Sequence, residues 1–153
     1  MGYRLSQRSL DRMEGVHNDL QDVVCRAIEI TEVDFAVIEG LRSESRQWQL
    51  VDSGASQTMN SRHLNGYAVD LAAWVDGEIR WDWPLYYKIA EAVQEAAKEL
   101  GVTVTWGGCW ENLNEVGDPK KAMQAYVARK QAAGEKAFPD GPHFQLSWSE
   151  YPA

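Results

Sequence analysis

A single α+β domain is the architecture this sequence predicts, and three observations predict it. The chain has 153 residues, enough for one core and too few for two. Its apolar residues switch between a helical period and short β-rich runs in the order helix, strand, loop, strand, helix, strand, helix, strand. No internal repeat, low-complexity tract or linker interrupts that order, so one catalytic-sized unit over residues 1–153 is expected, without a second binding domain.

Each element has its own signal. Leu10, Met13, Val16, Leu20, Val23, Val24, Ala27 and Ile28 recur at helical spacing, predicting one helix from Ser9, its capping serine, to about Ile30. The run Asp34 to Glu39, closed by Gly40, reads as a strand that delivers Arg42 at its end. Residues 43–62 are polar throughout and read as a long loop over a site. Tyr67 to Ala72 is the next strand, with Ala68, Asp70 and Ala72 on one face and Tyr67, Val69 and Leu71 on the other. Asp76-Gly77 makes a turn. Trp83-Pro84 then leads into a helix whose stripe, Leu85, Ile89, Val93, Ala96, Ala97 and Leu100, ends at Gly101. Val102 to Trp106 is a strand broken by Gly107-Gly108, Asp118-Pro119 opens a short helix that stops near Gly134, and His143 to Leu146 is the last strand.

Composition narrows the partners. Hydrophobic content of 44% and 25% charged residues suit a folded globular protein, and a net charge of -8 argues against a surface built to neutralise phosphates, so no nucleic-acid partner is expected. The start, MGYRLSQRSLDRM, lacks the apolar stretch of a secretory signal, and no later run is long enough to span a bilayer. Synthesis in the cytoplasm without membrane insertion is the expectation. Cys25 and Cys109 lie in unrelated contexts and read as free thiols. The seven tryptophans, among them Trp74, Trp81, Trp83, Trp106 and Trp110, suit either a bulky core or an aromatic-walled groove.

The chemistry concentrates in two segments, SRHLNGYAVDL around residues 61–71 and DGPHFQL at 140–146. They supply two imidazoles, His63 and His143, and the carboxylate of Asp70, which could converge on a metal and leave a tetrahedral zinc one open position. A turn at Asn65-Gly66 would bring His63 back toward Asp70. On the last strand Phe144 and Leu146 can anchor one face while His143 and Gln145 occupy the other. Asp140 sits before the stiff Gly141-Pro142 bend, where its carboxylate can stand beside a metal without ligating it and take a proton from a zinc-bound water, whose pKa is lowered toward 7. Passing that proton to a leaving amine is peptide-bond hydrolysis, with Arg42 and the zinc stabilising the oxyanion. Each residue also has a plainer reading. A histidine is more often structural than a ligand, Asp140-Gly141-Pro142 can be only a turn, Arg42 only a salt-bridge partner and Ser61 only a loop hydrogen-bond donor. His17 reads as a helix-surface residue. Spacing alone does not identify a metal-binding fold, and the pattern is not the helical HExxH of other zinc peptidases.

Ser61-x-His63-x6-Asp70 followed by Asp140-x-x-His143 resembles the LAS metallopeptidases, the VanY and VanX-like group of D-alanyl-D-alanine peptidases and phage L-alanyl-D-glutamate endopeptidases. The resemblance runs from Leu41-Arg42-Ser43 to the C-terminal strand and is nearest to the phage endolysins. It implies a small, mainly antiparallel sheet packed with helices, the Hedgehog/DD-peptidase-like zinc peptidase fold. It also implies Zn2+ held by His63, Asp70 and His143, Asp140 as general base, and Arg42 and Ser61 as residues that bind substrate or stabilise the oxyanion. The implied activity is hydrolysis of the L-alanyl-D-glutamate bond of the peptidoglycan stem peptide. The expected enzyme is a monomer that reaches the cell wall with the help of a holin-type protein. Two alternatives remain: a D-alanyl-D-alanine carboxypeptidase of the same fold, and a non-catalytic zinc-stabilised wall-binding module, against which Asp140 counts. Two departures stand out. Cys109 occupies the aspartate position of the family's WGGDW segment, and residues 111–138 form an insertion with a helix of its own.

Overall fold

Alternation of apolar and polar residues along three central strands decides this fold, because it gives one sheet a buried face and a face free for chemistry. The computed structural model describes residues 2–56 and 58–152. Its elements are α1 (Gln7–Arg12), α2 (Asn18–Ile30), β1 (Phe35–Glu39), α3 (Glu44–Asp52), a 3-10 turn (Arg62–Asn65), β2 (Ala68–Val75), β3 (Glu78–Arg80), α4 (Trp83–Leu100), β4 (Val104–Trp106), β5 (Glu111–Asn112), α5 (Pro119–Ala132) and β6 (His143–Leu146). The sheet order is β1-β2-β6-β4-β5, with β3 also paired to β2, and every pairing is antiparallel. The expected α+β class with a mainly antiparallel sheet is what forms. Among the described residues no helix is long and apolar enough to cross a membrane.

Val37 of β1, Val69 and Leu71 of β2, and Phe144 and Leu146 of β6 enter the core, where they meet α2 and α4. Those helices pack on each other through Leu20, Val23, Val24 and Ala27 on one side and Ile89, Val93, Ala96 and Ala97 on the other. Each fully buried aliphatic side chain contributes about 1.5–3 kcal/mol, so this face carries much of the stability. The opposite face presents Asp70 and His143, directly paired across β2 and β6, with Glu39 of β1 paired to Asp70 on the other side. Strand parity delivers Asp70 and His143, and a register shift in β1 between Val37 and Glu39 brings Glu39 into the same row across three adjacent strands.

The helix expected from Ser9 to Ile30 is two helices. Ser6 caps α1, the chain turns through Gly15, and His17 caps α2 by accepting from the Asp19 amide. The apolar stripe runs through the break because Met13 and Val16 in the turn are as buried as the helices. His17 is therefore a cap rather than a helix-surface residue, and its ring lies edge-on between Tyr67 and Tyr151. The turn abuts the site: His17 N donates to Gly66 O at 2.8 Å, and Gly66 takes the left-handed conformation (φ 75°) that ends the 3-10 turn.

The loop expected over residues 43–62 contains a second surprise, the helix α3. Ser43 caps it through the Arg46 amide, yet its buried residue is Gln47, so no apolar stripe announces it. The short strands β3 and β5 were likewise absent from the pattern, being too brief to show alternation.

Candidate metal centre

The 3-10 turn and two strands bring His63, Asp70 and His143 together. His63 Nε2 lies 3.2 Å from Asp70 Oδ1 and His143 Nδ1 lies 3.3 Å from the same oxygen. One ligand atom from each residue falls within 4.8 Å of the others. The other nitrogen of each ring is held from outside. His63 Nδ1 donates to Gly40 O at 2.8 Å and His143 Nε2 donates to Gln145 Oε1 at 2.8 Å. With those protons outward, the inner nitrogens face a carboxylate oxygen, which requires a cation between them: a metal ion or, without metal, a second proton on an imidazole that then donates to Asp70. Outward hydrogen bonds of this kind orient the histidines of metal sites. The donor set fits a divalent metal ion.

Electrostatics agree. Burial alone would push Asp70 up, but hydrogen bonds from His143 and His63 outweigh it and hold the carboxyl far below the ordinary range. Burial pulls His143 down, while the Asp70 carboxylate overcomes it and raises the imidazole above its usual value. A group whose folded pKa is raised stabilises the fold fully below its unfolded value and loses that contribution as pH climbs through the folded one. Metal-free protein is therefore expected to melt at a lower temperature as pH rises past about 6.5, the ordinary histidine value. Melting curves with chelator between pH 6 and pH 9 check this; a flat or rising profile contradicts it.

Asp70 is steered by Arg42, whose Nη2 lies 3.6 Å from Asp70 Oδ2. The guanidinium is gripped by both oxygens of Glu39, at 2.6 and 2.8 Å, and by Gln47 Oε1 at 2.6 Å. Gln47 Nε2 in turn donates to Ser56 Oγ and Thr58 O, which fastens the segment after α3 to the site. Arg42 thus orients the Asp70 carboxylate while it lines the cavity. Ser61 also lines the cavity, and its Oγ accepts from the His63 amide as the cap of the 3-10 turn. Strand alternation places Gln145 on the face of His143, but the sequence assigns no role to Glu39, Gln47 or Gln145.

Asp140 stands beside this cluster on the bend expected from Gly141-Pro142. Asp140 N donates to Gly107 O, Gly107 N donates to His143 O, and Trp106 Nε1 donates to Gly141 O, each at 2.8 Å. Burial and the Asp70 charge raise the Asp140 carboxyl above its usual value, partly opposed by His143, His63 and Arg42. The close approach depends on Gly107, where an added Cβ would lie 2.5 Å from Asp140 O and 2.9 Å from His143 Cβ. Gly107→Ala is therefore expected to displace the bend, costing about 1–3 kcal/mol of stability and most of the site's activity, read by melting temperature and turnover together. Full activity in that variant would contradict the placement.

A cavity of about 650 Å³ opens over the triad, lined also by Asp140, Trp110, Tyr126, Phe138, Leu50 and Ser56. The tryptophans divide between both expected roles. Trp106 is fully buried, while Trp110 and Trp148 wall the cavity, Trp110 at 5.3 Å from the His143 ring. Trp110 adopts φ 56°, uncommon for a large residue, and its Nε1 is anchored to Phe138 O. Cys109 turns instead into the core, its thiol pushed up by burial, and Cys25 is an exposed free thiol. Arg62, next to His63, is buried against the Tyr67 and Trp148 rings and donates to the carbonyls of Leu146, Ser147 and Tyr151, tying the chain after β6 to the 3-10 turn.

Comparison with known proteins follows the same line. The family model described as phage L-alanyl-D-glutamate peptidase matches residues 1–147. The L-alanyl-D-glutamate peptidase of Escherichia phage T5 is 29% identical over 125 residues, covering 79% of this chain and 91% of that protein. The crystal structure of the Serratia marcescens L-Ala D-Glu endopeptidase ChiX superposes with a TM-score of 0.76 at 42% identity, covering 95% of this chain and 91% of that one.

Proposed function

The chain belongs to the phage L-alanyl-D-glutamate peptidase family, and from that premise we propose that it is a zinc-dependent peptidoglycan endopeptidase that hydrolyses the L-alanyl-D-glutamate bond of the stem peptide. The observation that carries the reading is the convergence of His63, Asp70 and His143 on one point with Asp140 beside it on a separate bend. Two nitrogens and one oxygen are a ligand set suited to catalytic zinc. When bound, zinc would acidify a water and polarise the scissile carbonyl.

The remaining work falls to the chain's own groups. Gly40 O and Gln145 fix the imidazoles, and Arg42 fixes Asp70, so the ligand geometry is set before substrate arrives. Asp140, with its pKa raised by burial, suits a group that takes a proton and returns it to the leaving amine. Ser61 and Arg42 line the cavity and are assigned to substrate binding. In this reading residues 1–153 form one catalytic domain acting as a monomer on the wall of a phage host, with release across the membrane left to a holin-type protein.

Mass spectrometry of purified peptidoglycan digested by the zinc-loaded protein, with and without chelator, tests the assignment. New free amino groups on D-glutamate, abolished by chelation and restored by zinc, are expected. Release of free D-alanine instead would make the chain a carboxypeptidase, and an unchanged digest would leave a binding module.

A further inference from the structure

The cleft has one wall that the triad, Asp140 and Arg42 do not explain. It comes from the 111–138 segment, where residues 119–138 carry Lys120, Lys121, Arg129, Lys130 and Lys136 against Glu135 alone, in a chain of net charge -8. Lys130 and Lys136 line the cavity with Tyr126 and Phe138. Arg129 is engaged by Glu111 and Lys130 by Glu135. Lys136 has no acidic partner within ion-pair distance among the described residues. Of the other cations in the cleft lining, Arg42 is committed to Glu39, Gln47 and Asp70, while Arg62 is buried against the Tyr67 and Trp148 rings, giving Nη2 to three backbone carbonyls and leaving Nε and Nη1 buried without a partner; among the described residues Lys136 is the exposed cation of the lining without an ion pair.

The segment that carries Lys136 is held in place. Phe138 N donates to Tyr126 Oη at 3.1 Å, Phe138 O accepts from Trp110 Nε1 at 2.8 Å, and Asp140 N donates to Gly107 O at 2.8 Å. The strap from residue 136 to residue 140 therefore runs from a free ammonium to the candidate base along one cavity wall. A group that returns a proton to the leaving amine stands beside the residue bearing that amine. Glutamate has two carboxyl groups and its onward peptide link uses one, so the other stays ionised unless it is amidated.

We propose that Lys136, on the strap anchored by Tyr126 and Trp110, forms a subsite for the free carboxylate of the residue on the leaving-amine side of the scissile bond. The 111–138 segment thereby selects stem peptides with acidic rather than amidated D-glutamate. The inference rests on the peptidase reading above. Its gain is binding energy at the cleft mouth, where partial solvation limits a single ion pair.

The test compares two synthetic stem peptides, identical except that one carries D-glutamate with its free carboxyl and the other the corresponding amide, cleaved by the zinc-loaded full chain. The wild-type protein is expected to favour the acid in kcat/KM by roughly fivefold, mainly through KM, with the preference shrinking in high salt. Lys136→Gln should abolish the preference and Lys136→Glu should reverse it, whereas Lys88→Gln on α4, whose lysine pairs with Glu32 and Glu91, should preserve it. Equal cleavage of both peptides by the wild type, or a preference that survives in Lys136→Gln, overturns the subsite while leaving the peptidase assignment standing. Cleavage of neither peptide before D-glutamate overturns both.

Discussion

Asp140→Asn is expected to keep bound zinc near one equivalent while lowering turnover on peptidoglycan by about a hundredfold to ten-thousandfold. The substitution keeps the shape of the side chain and removes its capacity to accept a proton. The backbone contacts that place the bend, Asp140 N to Gly107 O and His143 N to Asp140 O, do not involve the carboxylate and should persist. Among the described residues the carboxyl makes no hydrogen bond to a protein group, so the amide strands no partner. Elemental analysis and turnover on the same sample separate the effects. Loss of metal with activity would make Asp140 a ligand, and full activity would remove it from the mechanism.

The central site was legible because its geometry follows from local rules. His143 alternates with Phe144 on a strand whose apolar side must be buried, and Asp70 alternates with Val69 and Leu71 in the same way. Asn65-Gly66 announced the turn, and the Gly141-Pro142 bend announced the separate placement of Asp140. What surrounds the site was hidden because its interactions are polar and long-range. Gln47 is fully buried on a helix with no apolar face, and its partners, Arg42 and the 56–58 segment, cannot be inferred from periodicity. Alternation puts Gln145 on the face of His143, but its contact with the outer nitrogen of that ring depends on side-chain rotamers that periodicity does not give. The α1–α2 break is not legible in the sequence because a buried turn continues the same apolar pattern as a helix. Cys109 shows the converse: a departure from a motif carried no consequence readable in sequence, and the structure places the thiol in the core, away from the cleft lining.

His63→Ala and His143→Ala are expected to lose both metal and activity, and Gln145→Ala should fall between them and the wild type. Each ligand deletion leaves only two of three donors and exposes a further penalty. Removing His63 leaves the Gly40 carbonyl without its donor and empties a fully buried site, and removing His143 frees the Asp70 oxygen that both rings now share. Gln145 touches no metal position in this arrangement; it holds the outer nitrogen of His143 and so fixes which nitrogen faces inward. Loss of such an outer partner costs about 10–100-fold in metal affinity, so deletion of a ligand should exceed that. Competition with a zinc chelator of known affinity gives the ranking, and added zinc should restore Gln145→Ala but neither ligand variant. Rescue of all three variants to equal activity would show that the site tolerates loss of a ligand and would remove His63 and His143 from the coordination sphere. A Gln145 variant as defective as the histidine variants would instead make that glutamine part of it.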